Sequence, residues 1–262
     1  MTKVAFAWGI ITFHWYGLIV AGAVLIGLLV SIRQARIYNR PMEPVIDFFL
    51  YGAPIAILSA RLYFVAANWK FYAHNPGEIF LIWHGGLALH GALIGLVLVL
   101  VIYTRRHKLP FWEWADILAP GLAISQAIGE WGNFINQDAF GYPTNGPWGI
   151  YIDFAERPLG FKQFDFFQPA FLYESIVGAT IFFLILLGSY LQFSRRGWRI
   201  RSGSFFLGGI LLYSLGRFFI EGIRIDSEMV AGYRLGQLVC AALAVVAVLL
   251  LGRRYWRLKT DC

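Results

Sequence analysis

Long apolar runs alternate with short, strongly charged segments along this chain. The runs cover residues 13–32, 46–66, 85–103, 116–136, 169–193, 204–222 and 234–252. Each holds about the 20 residues that a helix needs to cross a bilayer's hydrocarbon core, and the fourth is the least apolar. The pattern predicts an all-α polytopic membrane protein with seven transmembrane helices, built as a single integral membrane domain over residues 1–262. No small-residue cleavage site follows the first run, so that run is expected to be retained as a span.

Orientation follows from the basic residues. Arg33, Arg36 and Arg40 follow the first run, and Arg105, Arg106 and Lys108 the third. Arg195, Arg196, Arg199 and Arg201 follow the fifth, and Arg253, Arg254, Arg257 and Lys259 the last. The opposite side carries only Lys3, Lys70, Arg157, Lys162, Arg224 and Arg234. Basic loops stay in the cytoplasm, which places the N-terminus outside and the C-terminus inside. Composition agrees: only 14% of residues are charged, against about a quarter in a soluble domain. The net charge of +7 belongs to a collar facing anionic membrane lipids. Since these residues flank spans and form no single patch, no nucleic-acid partner is expected. Cys240 lies in a predicted span and Cys262 ends the chain, so no disulfide is expected between them.

Arg61, Glu130, Arg217 and Glu221 are among the charges that fall inside the predicted helices. A charge at mid-membrane costs about 2.5–3.5 kcal/mol on insertion scales, so such residues are normally paired or functional. The orientation puts Arg61, Asn133, Asn136, Arg217 and Glu221 at the outward ends of the second, fourth and sixth helices. It puts His14, Tyr16, His84 and His90 in the outer halves of the first and third. The embedded polar residues therefore gather at one depth.

The densest stretch is 127–141, "AIGEWGNFINQDAFG". Gln126, Glu130, Asn133 and Gln137 recur at i, i+4, i+7 and i+11, a single polar stripe on one helix face. Ser125, Gly129, Gly132 and Asn136 run beside it and permit close helix approach. Arg217, Glu221 and Arg224 share a face of the sixth helix. Any one buried amide is explained by helix packing alone; the joint convergence predicts a site. His90 lies among glycines 85, 86, 91 and 95, where Gly91-x-x-x-Gly95 is itself a packing motif, and its neutral imidazole is able to accept a proton near pH 7. The outer loop 142–168 carries Tyr142, Trp148, Tyr151, Phe154, Phe161, Phe164, Phe166 and Phe167, a density suited to the head-group zone. It reads equally as a surface arm over an opening or as an inert interfacial loop. A lateral site lined by Arg and His suits an anionic phospholipid, because guanidinium groups bind phosphate through charge-assisted hydrogen bonds.

Several motifs, in order along six of the seven helices, are similar to those of bacterial prolipoprotein diacylglyceryl transferases. They are "HWYG" at 14–17, "ARLYFV" at 60–65, "GGLALHGALIG" at 85–95, "GNFINQDAFG" at 132–141, "QPAFLYE" at 168–174 and "GRFFIEGIRIDS" at 216–227. The resemblance implies an enzyme of the bacterial cytoplasmic membrane with its site toward the outer leaflet. Such an enzyme moves the diacylglyceryl group of phosphatidylglycerol onto the lipobox cysteine of a prolipoprotein signal peptide, the first step of lipoprotein maturation. It implies no metal and no organic cofactor. It further implies His90 as base or positioner of one, Arg217 on the phosphate and Tyr16 at the head group. Glu130, Asn133, Asn136, Asp138, Gly141, Glu221 and Arg61 would complete the substrate-binding set, with Glu221 aligning Arg217.

Two positions depart from the family signature G-R-x-G-N-F-x-N-x-E-x-x-G. Glu130 stands where the family has Arg, and Asp138 where it has Glu. At 4 Å and an effective dielectric of about 20, the first change turns roughly 4 kcal/mol of attraction for a phosphate into repulsion of similar size. The expectation is a preserved fold with impaired transfer, unless Arg61 or Arg224 pairs with Glu130. The competing readings are an inactive lipid-binding variant and a small anion transporter. Against the transporter stand polar groups confined to one half of the bilayer and the lack of an inverted repeat. An intramembrane protease is disfavoured by the absence of G-x-S-G and H-E-x-x-H patterns.

Overall fold

A computed structural model describes residues 3–9, 11–194, 200–227 and 229–260, with the side chains of 11, 83, 89, 90 and 257–260 outside the description. Arg195, Arg196, Arg199 and Cys262, which figure in the charge and cysteine readings above, lie outside the described residues, as do the side chains of Arg257 and Lys259. Long helices dominate: α1 (Trp15–Ile37), α2 (Glu43–Ala67), the short α3 (Trp69–His74), α4 (Leu89–Arg106), α5 (Phe111–Asn136), α6 (Ala170–Ser194), α7 (Ser204–Glu221) and α8 (Leu235–Thr260). Among the described residues five are long and apolar enough to cross a membrane, namely α1, α2, α6, α7 and Leu235–Trp256 of α8. Their outer faces are apolar and exposed, as at Leu29, Phe183 and Leu249, which fits a surface covered by lipid. The helix starting at Leu89 begins later than the third apolar run, because Gly85 and Gly86 both take positive φ that a helix excludes.

Consecutive packed helices run antiparallel, and small residues set their spacing. A Cβ on Gly27 would meet Ser125 and Gly121, one on Gly121 would meet Ser31, and one on Gly132 would meet the ring of Tyr16. Rising numbers on α1 thus face falling numbers on α5. Gly91 and Gly95 lie against Ser59 of α2 in the same way, so the Gly-x-x-x-Gly spacing read from sequence does join α4 to α2. Gly216 abuts Val177, Gly188 abuts Phe205, and Gly236 abuts Glu221, which makes α6–α7 and α7–α8 antiparallel too. This up-and-down order gathers the N-terminal ends of α1, α4, α6 and α8 with the C-terminal ends of α2, α5 and α7.

The opposite end is not purely apolar, contrary to the single polar depth expected from sequence. Asp116 is 1% exposed and its carboxylate accepts the backbone N–H groups of Gly203 and, at 2.8 Å, Phe206. It caps the first turn of α7 from a neighbouring helix, satisfying donors that a helix start leaves open. Gln34 donates to Ser189 at 2.6 Å, with both side chains buried. Around them Val45, Phe48, Trp114 and Ile117 form the apolar core.

Three small antiparallel hairpins supplement the helices, a feature that hydropathy did not disclose. β1 (Val4–Trp8) pairs with β2 (Ile11–His14), β3 (Ile150–Tyr151) with β4 (Phe166–Phe167), and β5 (Met229–Val230) with β6 (Tyr233–Arg234). The last turns on Ala231 and Gly232, both at positive φ, as a two-residue type I′ connection requires. Loop 142–168 folds on its own core of Phe140, Ile152 and Phe167 while Trp148, Tyr151 and Phe154 stay exposed. Lys3 Nζ, just before β1, pairs with Glu156 at 2.7 Å, joining the start of the first hairpin to this loop.

Candidate active site

Charged groups from α6, α7 and the segment after α7 converge at the end that carries Tyr16. Glu174, only 2% exposed at its side chain, receives Arg217 Nη1 and, at 3.1 Å, Arg224 Nη1 on the same oxygen. Arg217 Nη2 lies 2.9 Å from Glu221 Oε2, the i, i+4 pair expected from sequence. Arg224 clamps Asp226 in a fork, Nε to Oδ1 at 2.9 Å and Nη2 to Oδ2 at 2.6 Å. Two parallel bonds of this kind fix the guanidinium plane. Burial opposes the charge on Arg224, but Asp226 and Glu174 outweigh it and hold the group protonated, above its ordinary range. Arg234 donates to the carbonyls of Glu221 and Arg224, to Ser227 Oγ at 3.1 Å, and to Tyr142 Oη at 3.1 Å. It thereby pins the chain where α7 ends.

The stripe on α5 supplies the other wall. Glu130, 8% exposed, accepts Gln126 Nε2 at 2.9 Å and Asn133 Nδ2 at 2.7 Å. Glu174 is its charged neighbour. No basic group lies within ion-pair distance of Glu130 among the described residues. Arg224 is committed to Glu174 and Asp226, so the alternative in which it pairs with Glu130 is not what forms. Trp131 Nε1 donates to Ser175 Oγ at 3.2 Å, which donates on to the Ala127 carbonyl at 2.7 Å, locking α5 to α6.

Gly132 has a steric role: a Cβ there would lie 2.7 Å from the Tyr16 ring. The ring occupies that space and projects from the first turn of α1 beside Glu130 and Asp138. The helix then stops at Gln137, in left-handed conformation at φ 54°, and the Asp138 N–H returns to the Asn133 carbonyl at 3.1 Å. Gln137 Oε1 accepts the Asp153 N–H at 2.8 Å, tying the last amide of the stripe to loop 142–168. Desolvation raises the Asp138 carboxyl above its ordinary value, partly offset by a hydrogen bond from Asn136. Gly141 pairs its backbone with Arg224 and with Gln168, and a Cβ would lie 2.9 Å from the Gln168 side chain. Its contacts are with the protein's own chain, between the end of α7 and the start of α6.

Arg61 belongs to a different place. Its guanidinium donates to the carbonyls of Ile79 at 3.0 Å, Gly86 at 3.0 Å, Leu81 at 3.4 Å, Glu78 and Gly85, under the ring of Tyr72 at 5.3 Å. It clamps the segment that precedes α4 and does not reach Glu130. His90 stands in the first turn of α4; its side chain lies outside the description. Among the described residues Tyr16, Glu130, Asn133, Asn136, Asp138, Arg217 and Glu221 share one end of the bundle. Glu174 and Arg234 are the central members that sequence reasoning left without a role. "QPAFLYE" held the signal for Glu174, a carboxylate one turn into an apolar helix.

Chemically, the arrangement is a set of fixed guanidinium groups backed by buried carboxylates at a membrane-helix end, with amides and a phenol opposite. Over residues 3–253 the chain matches the model of a family described as prolipoprotein diacylglyceryl transferase. A protein of Listeria welshimeri named phosphatidylglycerol–prolipoprotein diacylglyceryl transferase is 42% identical over 263 residues, covering 100% of this chain and 92% of that protein. Relatives of the same name from Synechococcus elongatus and Trichormus variabilis are 41% and 43% identical, spanning 92% and 88% of this chain and 83% and 82% of their own lengths. Matches of this extent favour a transferase over the transporter and the inert lipid-binding readings. The chain belongs to the prolipoprotein diacylglyceryl transferase family.

Proposed function

We propose that this chain transfers a diacylglyceryl group from phosphatidylglycerol to the lipobox cysteine of a prolipoprotein signal peptide, at the outer face of a bacterial cytoplasmic membrane. In this reading α4 and α5 span the bilayer with the five helices above, the N-terminus lies outside and the basic collar lies in the cytoplasm. Loop 142–168 rests in the outer head-group zone, where its exposed aromatic side chains are at home. The substrate thiol, deprotonated, attacks the glyceryl carbon that bears the phosphate. A carbon–sulfur bond forms, the carbon–oxygen bond breaks, and its electron pair leaves on glycerol phosphate. His90 takes or positions the thiol proton. Arg217 steadies the charge that grows on the leaving phosphate, while Tyr16, Asn133, Asn136 and Asp138 hold the head group.

The observation that carries this reading is the setting of Arg217. It is fixed by Glu174 and Glu221, yet its side chain is 19% exposed, with N–H donors left for a ligand. Glu130 beside it weakens an anionic donor's binding, so Glu130→Arg is expected to raise transfer from phosphatidylglycerol. The test is purified protein in mixed micelles with a lipobox peptide, read as the mass gain of one diacylglyceryl group. Arg217→Ala should abolish the gain. Full transfer by Arg217→Ala, or solute uptake by liposomes without any transfer, would refute the reading. His90→Gln with undiminished turnover would remove the base role from that residue.

A further inference from the structure

The last helix carries none of the motifs quoted above, yet its first turn lies against the end of α7. Arg234 donates to the carbonyls of Glu221 and, at 2.7 Å, Arg224. Gln237 Nε2 donates to the Phe218 carbonyl at 3.1 Å. Between these two side chains, Gly236 faces the Glu221 side chain itself. A Cβ at 236 would stand 2.5 Å from Glu221 Cδ, 2.7 Å from Oε1 and 3.0 Å from Cγ. Carbon atoms in ordinary contact stay about 3.5–4.0 Å apart, so a single methyl group would force the carboxyl to move by roughly 1 Å. Glu221 is buried at 4% exposure, and its Oε2 lies 2.9 Å from Arg217 Nη2, so any such move acts on that pair. The backbone gives no other reason for glycine: residue 236 lies in α8 without a positive φ, and alanine is the better helix former. The space of the missing side chain is filled by the carboxylate.

We propose that Gly236 is a positioning residue of the transferase site. By leaving room for the Glu221 carboxyl it sets where that group meets Arg217, and so how the guanidinium is presented to the phosphate. This rests on the transferase reading above and leaves its donor and its bond changes as they are. It gives α8 a part in the site: Arg234 and Gln237 hold the two helix ends together through main-chain oxygens, and Gly236 fixes how closely α8 approaches the carboxyl.

The experiment is a size exchange in the full chain, read as transfer from phosphatidylglycerol to a lipobox peptide. Gly236→Ala is expected to lower kcat on the order of ten- to a hundredfold, as a misplacement of about 1 Å does, with KM changed much less. Glu221→Asp, one methylene shorter, should lower kcat by itself. In the double variant the aspartate draws back from the methyl, and kcat should exceed that of Gly236→Ala by at least about fivefold, the coupling expected of residues in contact. Gly252→Ala, also in α8 but with nothing within 4 Å of the added Cβ, should transfer like the parent chain. Monodisperse elution verifies that each variant is folded; a Gly236→Ala chain that does not fold overturns the positioning role, because the glycine is then a requirement of the fold. Losses that multiply in the double variant, or undiminished kcat in Gly236→Ala, overturn the proposal and leave the transferase reading standing. If the parent chain transfers nothing, the transferase reading falls, and retention of phosphatidylglycerol in native mass spectrometry decides instead. Retention lost in Gly236→Ala and regained in the double variant supports the proposal; retention that is unchanged, or not regained, overturns it.

Discussion

Glu174 of α6 and Arg217 of α7 form an ion pair between neighbouring helices, with the carboxylate 2% exposed and the guanidinium ten times more open at 19%. The acid is the anchor and the base faces the site. Removing one partner of a buried pair costs about 3–5 kcal/mol, because the other is left uncompensated. Glu174→Gln is therefore expected to lower thermal stability markedly in detergent and to cut transfer, since two arginines lose their common support. Glu174→Asp should recover part of the stability. A melting curve unchanged by Glu174→Gln would show that Arg217 is held by Glu221 alone.

Arg217→Lys keeps the charge and loses the fork. A lysine reaches one carboxylate at a time and presents no planar array to phosphate. The expected result is a fall in kcat of about a hundredfold, in the range of losing one preorganised transition-state donor, with KM changed much less. Single-turnover transfer to the peptide separates the two.

Gly132→Ala should disturb Tyr16, because the new methyl would stand where the ring lies at 2.7 Å. The expected loss in kcat/KM is about tenfold. It should be largely absent when Tyr16→Ala is already present, since contacting residues are non-additive. Additive losses in the double mutant would place the glycine's role elsewhere.

Asp116→Asn tests the far end of the bundle. An amide offers a single oxygen in place of the carboxylate's two, so either Gly203 or Phe206 loses its acceptor. The expected cost is about 1–3 kcal/mol for one unsatisfied buried donor, read as a lower melting temperature. Transfer per folded molecule should stay unchanged, because no site residue lies there.

The sequence alone disclosed what depends on local spacing. The helices from Trp15, Glu43, Ala170 and Ser204 fall within three residues of the starts of their apolar runs. The stripe on α5 and the Arg217–Glu221 pair emerged from helical periodicity alone. What stayed hidden depends on partners far apart in the chain. Arg61 read as a site residue because an embedded arginine normally marks one, yet carbonyls 17 to 25 residues away occupy it. Asp116 was the first residue of its apolar run, and nothing local tells that α7 would lay its open N–H groups on it. The hairpins escaped notice because strands of two to five residues leave no alternation long enough to read.

The clamp made by Arg61 has a consequence for how this protein tolerates change. Among the described residues it holds the segment before α4 through main-chain oxygens, with the ring of Tyr72 from α3 beside it, so it is blind to which amino acids stand at 78, 79 and 81. What it measures is the path of the chain. Drift in the identity of those residues passes unnoticed, whereas inserting or deleting one would shift every oxygen out of register and carry the start of α4, with position 90, away from its neighbours.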